Sequence, residues 1–276
     1  MSKFPVALQL YSVREDMEKD FEGTLKQVAE LGYEGVEFAG LFGRTPEYVK
    51  KLCDGLGLVP VSAHVPYQEL IVDPGSVVRY YKKLGVSFIV IPYLTEDLRP
   101  GCEGFNDVIK WAPIIGTVCA EEGLELLYHN HDFEFVKLGG KYALDILYES
   151  IPADLLKTEI DTCWANVGGV DPAEYILKYS GRSPVIHLKD FVMPGKKPSK
   201  MYALIGIDDT SDQDAEGSVF EFRPVGQGVQ DIEKIIDASH RAGASWLIVE
   251  QDMPSLRKTP MECAEMSIEY LKKVNV

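Results

Sequence analysis

Basic residues are scarce in this sequence. Lys and Arg number 28 against 43 Asp and Glu, a formal net charge of −15 over 276 residues. With no basic run either, the chain is a poor partner for phosphate backbones, and the expectation is that it binds no nucleic acid. Long hydrophobic runs are also missing. No stretch approaches the roughly 20 apolar residues of a membrane span, so no membrane association is expected. The opening, MSKFPVALQLYSVRED, has a short apolar run but no small-residue cleavage pattern, which argues against a signal peptide and for a first strand. Cysteines are few, odd in number and scattered: Cys53, Cys102, Cys119, Cys163 and Cys263, with no CxxC pair. That pattern argues against a disulfide framework and a thiolate zinc site, and points to buried, reduced thiols in a cytoplasmic protein.

What is present is alternation. Short apolar runs read as strands at 6–12, 35–40, 59–65, 87–93, 124–131, 155–161, 184–190 and 246–252. Their near-continuous apolar character suits a sheet covered on both faces. Helical patterns lie between them, over 23–32, 45–57, 75–85, 105–123, 143–150, 172–179, 232–243 and 260–273. Five joints repeat one phrase: LGYEGVEF, LGLVPVSA, LGVSFIVI, EGLELLYH and AGASWLIV. Each puts a glycine at a helix end and a strand directly after it, the signature of repeated βα units and a parallel sheet.

Eight strands each followed by a helix predict an α/β fold, a (β/α)₈ TIM barrel; a doubly wound open sheet is the alternative. Strand ends near residues 11, 38, 64, 92, 131, 161, 189 and 251 are evenly spaced except for the last step. That step holds an insertion at about 191–228, rich in Gly, Pro, Lys, Asp and Ser, which reads as a lid or hairpin over the barrel mouth. Its acidic run, 208–216, reads as a solvated tip. No linker interrupts the chain, so residues 1–276 are expected to form a single domain.

Such barrels keep their chemistry at the carboxyl ends of the strands. Those ends carry Gln9, Tyr11 and Arg14; Glu37; His64; His129, Asn130 and His131, with Asp132 and Glu134 beyond; Glu159 and Asp161; His187, Lys189 and Asp190; Glu250 and Asp252. Four of the five histidines fall there, and the fifth, His240, sits in a helix pattern. Strand alternation puts His129 with His131, His187 with Lys189, and Glu159 with Asp161 on common faces. Burying so much charge on a barrel axis is costly without compensation. A divalent cation held by Asp161, His187 and Glu250 would supply it, and this donor set suits Mn²⁺, Zn²⁺, Co²⁺, Mg²⁺ or Fe²⁺ alike.

Plainer readings stand beside these. Glu250 can pair with Lys189, Glu37 with Arg14, and His64 can be a satisfied core histidine instead of a substrate ligand. Tyr11, Phe38, Tyr67, Phe133 and Trp164 can wall a sugar face or simply pack. Gly226 and Gly228 in PVGQGV look like a phosphate nest, though a GxG alone also shapes the approach to a helix. Cations near the mouth are limited to Lys196, Lys197 and Lys200 of the insertion, with Arg14 and Arg223. Arg223 is taken as a substrate contact, and the shortage argues against a phosphorylated ligand.

LYHNHDFEF (127–135), EIDTCWANVGGVDP (159–172), RSPVIHLKDF (182–191) and PVGQGVQDI (224–232) resemble the xylose-isomerase-like barrel superfamily, in its sugar (phosphate) isomerase and epimerase branch. The opening through residue 40 and SAHVPY (62–67) fit the same group, so the resemblance spans nearly the whole chain. It is similar, more distantly, to 3-keto-glycoside-processing enzymes and inosose dehydratase. The resemblance implies one divalent metal, with Asp161, His187 and Glu250 as ligands. The fourth ligand of the epimerases, a glutamate ending strand 5, is replaced here by His129. Glu134 is the expected substitute ligand, with His129 or His131 as a base. Because two ligand glutamates shuttle the proton in the epimerases, this departure counts against simple 3-epimerisation.

The leading expectation is a sugar isomerase or epimerase that removes a proton next to the carbonyl of a keto sugar or related polyol. Glu250 or a strand-5 histidine would act as base and Lys189 would steady the oxyanion. A dehydratase or keto-glycoside lyase shares that first step and is the alternative. His64, Glu37, Tyr11, Trp164 and Arg223 are the expected carbohydrate contacts. An abasic-DNA endonuclease is disfavoured by the charge and by five histidines, and a catalytically inactive sugar-binding barrel is the remaining reading. Barrels of this kind are commonly dimeric, which makes a homo-oligomer an open expectation.

Overall fold

A computed structural model describes residues 3–195, 197–198, 201–202 and 219–274. Eight parallel strands close into a barrel in chain order: β1 (Val6–Gln9), β2 (Gly35–Phe38), β3 (Val59–His64), β4 (Phe88–Ile91), β5 (Glu125–His129), β6 (Lys157–Asp161), β7 (Val185–Leu188) and β8 (Trp246–Val249). β8 pairs back onto β1, with Ile248 beside Ala7. The expected (β/α)₈ barrel is the observed fold, and the open sheet is not.

The outer helices are α1 (Phe21–Leu31), α2 (Pro46–Leu56), α3 (Pro74–Leu84), α4 (Gly104–Glu121), α5 (Ala143–Ser150), α6 (Pro172–Lys178), α7 (Ile232–Ala242) and α8 (Pro260–Lys273). Their starts follow capping chemistry. Thr45, Asp73, Asp171 and Thr259 each accept a backbone N–H, each is followed by proline at the first helical position, and Thr259 forms a capping box with Glu262. The five repeated joints carry their glycines at positive φ, 92° at Gly32 and 82° at Gly243. A left-handed residue there turns the chain from helix back into sheet.

The interior is layered. Ala7, Leu127, Val185 and Ile248 belong to an apolar plug with Val61, Phe88 and Val90. Two residues further along, on the same inward face, stand Gln9, His129 and His187 within their strands and Glu250 just past the end of β8. The step of two therefore converts a packed floor into a polar ceiling. The much larger core lies between the strands and the helices.

The strands stop sooner than their apolar runs. β1 ends at Gln9, where a 3₁₀ turn (Leu10–Val13) begins, and β8 ends at Val249. Tyr11, His131, Lys189 and Glu250 thus stand on loops just past the sheet. The insertion opens as an antiparallel ribbon, with Asp190–Val192 against Glu221–Arg223. Met201, Phe191 and Phe222 pack with Trp164 at its base. The acidic run and the lysines Lys196 and Lys200 lie outside the described residues. All five cysteines are free; four are buried, while Cys102 is exposed, against expectation. No helix among the described residues is long and apolar enough to cross a membrane.

Candidate functional site

Two carboxylates anchor the floor of the site. Glu37, fully buried, accepts from Gln9 Nε2 at 2.7 Å and from Ser62 Oγ at 2.6 Å, and its Oε2 lies 2.7 Å from His187 Nε2. A register shift between Val36 and Glu37 sets Ser62 opposite Glu37 and makes this contact. Glu159 Oε1 lies among three imidazoles: His64 Nε2 at 2.8 Å, His187 Nε2 at 3.0 Å and His129 Nδ1 at 3.1 Å. Burial alone would raise both carboxyls, but the neighbouring imidazoles reverse it, lowering Glu159 to about 2 and Glu37 further. Burial works against the charged form of His64 too, yet Glu37 and Glu159 lift it to about 10.

Above this floor His129, Asp161, His187 and Glu250 converge, with one donor atom from each lying within 4.8 Å of the others. His187 Nδ1 is 3.2 Å from Glu250 Oε2, and His129 Nε2 is 3.7 Å from Asp161 Oδ2. Tetrahedral ligands on bonds of about 2.1 Å stand about 3.4 Å apart, so these spacings suit a shared ion. Asp161 Oδ1 caps Trp164 N at 2.8 Å, while its buried Oδ2 has no hydrogen-bond partner. That orphaned oxygen is what a cation would satisfy. A second group of donors, His64, His129, Glu159 and His187, is drawn together at hydrogen-bond distances instead. It fits the supporting layer that orients ligand imidazoles.

Lys189 completes the ring. Its ammonium is 2.9 Å from Glu250 Oε2, 2.5 Å from Asp252 Oδ2 and 3.6 Å from Asp161 Oδ2. Burial disfavours that charge, but Asp252 and Glu250 hold it strongly protonated. Glu250 is held well below the usual carboxyl range: burial pushes it up, and Lys189 and His187 outweigh that. Burial lifts Asp161 to about 7 and Asp252 to about 6 against the pull of Lys189. His129 and His131 are driven well down by burial, so both are neutral imidazoles near pH 7.

A cavity of about 420 Å³ opens above these groups. Four expected catalytic residues, Glu250, His131, His129 and Lys189, line it, as do the expected contacts His64 and Tyr11. Other expectations need correction. Glu134 is not beside the converging ligands. Its Oε1 accepts from Tyr128 Oη at 2.6 Å and its Oε2 from His131 N at 2.8 Å, and it lies in neither donor group. The chain leaves strand geometry after His129 and curls into a 3₁₀ turn (Phe133–Phe135), which carries Glu134 behind the mouth. Glu37 does not line the cavity, because Gln9, Ser62 and His187 enclose it. It does not pair with Arg14, which bonds the carbonyls of Tyr11 and Asp252. Trp164 is fully buried and stacks on His131 at 5.2 Å. Arg223 sits on the ribbon, paired with Glu221, away from the cavity lining.

The glycine nest is also taken. Asp190 accepts from the N–H groups of Gly226 (3.0 Å), Gly228 (2.8 Å), Gln230 (3.1 Å) and Phe191 (2.9 Å). A carboxylate of the chain itself fills the anion cradle. Sequence reasoning gave no role to Glu159, Asp252 or Ser62. Glu159 had a visible signal, since it shares the inward face of β6 with Asp161; the contact of Ser62 depends on the register shift and had none.

The closed barrel and its acidic, histidine-rich mouth define an α/β-barrel enzyme with a candidate metal centre. A profile of the xylose isomerase-like TIM barrel family matches residues 25–274, and the chain belongs to that family. An inosose dehydratase of Clostridium beijerinckii is 25% identical over 93% of this chain and 90% of its own length. A solved sugar phosphate isomerase/epimerase of Parabacteroides distasonis superposes with a TM-score of 0.76 at 22% identity, over 98% of this chain and 94% of its own. The IOLI protein, solved with a binding zinc atom, gives a TM-score of 0.67 at 14% identity, covering 99% and 98%.

Proposed function

We propose that this protein is a divalent-metal-dependent lyase of the inosose dehydratase type, acting on a neutral polyhydroxylated ketone. The observation that carries the choice is the position of its acids. Asp161 ends β6, Glu250 and Asp252 follow β8, and all three gather round Lys189. The place on β5 that faces them holds a neutral His129, and Glu134 is turned away. Returning a proton to the opposite face of a substrate needs a second acid–base group there; the carboxylates round Lys189 stand together on one side, Glu69 is the carboxylate of the other wall, and His129 is given to the ion in this reading. Removing a proton and a hydroxyl from the same face needs a base and an acid side by side, and Glu250 and Asp252 share one lysine.

In this reading His129, Asp161, His187 and Glu250 hold the ion. When bound, the ion supplies Lewis acidity to the substrate carbonyl and its neighbouring hydroxyl. Glu250 takes the proton from the carbon beside the carbonyl. Lys189 donates to the oxygen on which charge develops. Asp252 gives a proton to the hydroxyl on the next carbon, the C–O bond breaks, and water departs; the enol product rearranges to a diketone. The inosose dehydratases, matched along nearly their whole length, support elimination over isomerisation.

Isomerisation or epimerisation of a keto sugar shares the first proton transfer and is the second reading, supported by the isomerase/epimerase likeness in fold. The test is incubation of the Mn²⁺-loaded protein with an inosose and with ketohexoses in D₂O. Loss of water with appearance of a diketone is expected. Deuterium incorporation that yields an epimer or an aldose without loss of water would move the assignment to the second reading. No exchange with any ketone would remove both.

A further inference from the structure

Four seams between strands carry the site, and three of them are closed past their last strand pair by a side chain instead of by backbone. The final pairs are His129 with Glu159 between β5 and β6, Asp161 with His187 between β6 and β7, and Leu8 with Val249 between β1 and β8. Beyond them β5 runs toward the 3₁₀ turn at Phe133–Phe135, β6 enters a short helix (Thr162–Val167), and β1 passes into the turn at Leu10–Val13. The peptide groups that face these departures are buried, and leaving them without partners is costly.

Asn130, fully buried, supplies the first of these rungs. Its Oδ1 accepts from Asp161 N at 3.0 Å and its Nδ2 donates to Asp161 O at 3.3 Å, so its amide stands where a peptide unit would. Thr162 Oγ1 supplies the next. It donates to His187 O at 2.9 Å and accepts from Lys189 N at 3.2 Å, the two groups that a strand residue opposite Leu188 would bond. Ser12 Oγ accepts from Gln251 N at 3.0 Å across the third seam. At the fourth, between β7 and β8, backbone still serves: Glu250 N donates to Leu188 O at 3.2 Å.

Each side-chain rung lies beside the groups that make up the site. Asn130 follows His129 and grips the backbone of Asp161. Thr162 holds the peptide groups on either side of Leu188, between His187 and Lys189. Gln251, held by Ser12, stands between Glu250 and Asp252. Because Asp161 Oδ1 is spent on Trp164 N, the backbone grip of Asn130 helps to fix where the unpartnered Oδ2 points.

We infer that Asn130, Thr162 and Ser12 are positioning residues, side-chain rungs that hold His129, Asp161, His187 and Glu250 at the spacing one divalent cation requires, while their own polar atoms are spent on backbone. This rests on the metal-binding part of the reading above and not on which reaction follows. Metal–ligand distances tolerate only about 0.2 Å, so slack at one strand end is felt at the ion even where the barrel stays closed.

Co²⁺ is the probe, titrated into the metal-free protein against a competing chelator, with the visible absorption of the bound ion recorded alongside. Thr162→Val keeps the shape of the side chain and loses the hydroxyl; Asn130→Leu loses the amide at similar volume. Both should bind Co²⁺ about 10- to 100-fold more weakly, the scale of a lost orienting partner, and with altered absorption from the changed geometry. Thr162→Ser, which keeps the hydroxyl, should retain most of the affinity and the wild-type absorption. Ser12→Ala should show a smaller loss, because the bond from Glu250 N to Leu188 O remains. Asn130→Ser, small enough to admit a water to the freed peptide groups, takes the place of Asn130→Leu if that variant does not fold. Thermal melts of the metal-free proteins complete the comparison. Lower melting with unchanged Co²⁺ affinity and absorption in Thr162→Val and the Asn130 variant would show rungs that merely close the barrel, and would overturn the inference alone. A wild type that takes up no Co²⁺ would overturn the metal-dependent reading, and the inference with it.

Discussion

Glu37 Oε2 lies 2.7 Å from His187 Nε2, on the side of the ring away from Glu250. A carboxylate there accepts a hydrogen bond from Nε2–H and leaves Nδ1 as the nitrogen to ligate, turned toward the other candidate ligands. The acid on β2 thereby sets the tautomer of an imidazole on β7.

Glu37→Gln should accordingly weaken metal binding by about 10- to 100-fold, as loss of a ligand-orienting partner does. Competition with a chelator measures it. Unchanged affinity would show that Glu37 merely fills the barrel.

Glu134 makes the opposite prediction. Glu134→Gln should leave metal stoichiometry intact, since the carboxyl bonds Tyr128 and the His131 backbone and not the donor cluster. It should alter the pH dependence of stability. Burial raises the folded carboxyl from 4.5 to about 8, so the folded state holds this proton where the unfolded state has released it. The stabilisation is full below about pH 4.5 and is lost as pH rises toward 8. Urea unfolding of the wild type and the variant across that window should show a shallower decline in the variant.

Glu250→Gln keeps the size of the side chain and a carbonyl acceptor for Lys189. It should reduce α-proton exchange by about 10³-fold, the scale of a lost general base. Circular dichroism should still report a folded barrel. Exchange at the wild-type rate would transfer the base to another group.

Metal addition should stabilise the fold, because it satisfies Asp161 Oδ2, a buried oxygen with no hydrogen-bond partner. At a hundredfold excess over Kd the gain is about 2.7 kcal/mol. Thermal melts with Mn²⁺ or Zn²⁺ and after chelation measure it. Asp161→Asn should abolish the difference between them.

Much of this architecture is legible in the sequence because it repeats. The glycine joints and capping prolines gave the helices to within about two residues, and the inward step of two gave Asp161, His187 and Glu250. Glu134 was misread because period-two reasoning ends with the strand: after His129 the backbone turns and sequence proximity no longer implies a shared face. Glu37 was placed on the substrate side because the register shift that seats it against Ser62 leaves no trace in the local pattern. The PVGQG loop did form a nest of N–H groups, but only the folded chain shows Asp190 already seated in it.

The cavity draws Tyr11, Pro66, Tyr81 and Tyr93 from the segments after β1–β4 and His129, His131, Lys189, Glu250 and Asp252 from β5–β8 and the segments that follow them, and this has a consequence for how such a protein can diverge. The loops after β1–β4 and those after β5–β8 come from separate halves of the gene. Changes among Tyr11, Pro66, Tyr81 and Tyr93 can alter what is held while the proton-handling groups stay in register with one another. His64, rooted in the first half and bound to Glu159 in the second, joins the Glu37–His187 pair in keeping the two halves from drifting apart.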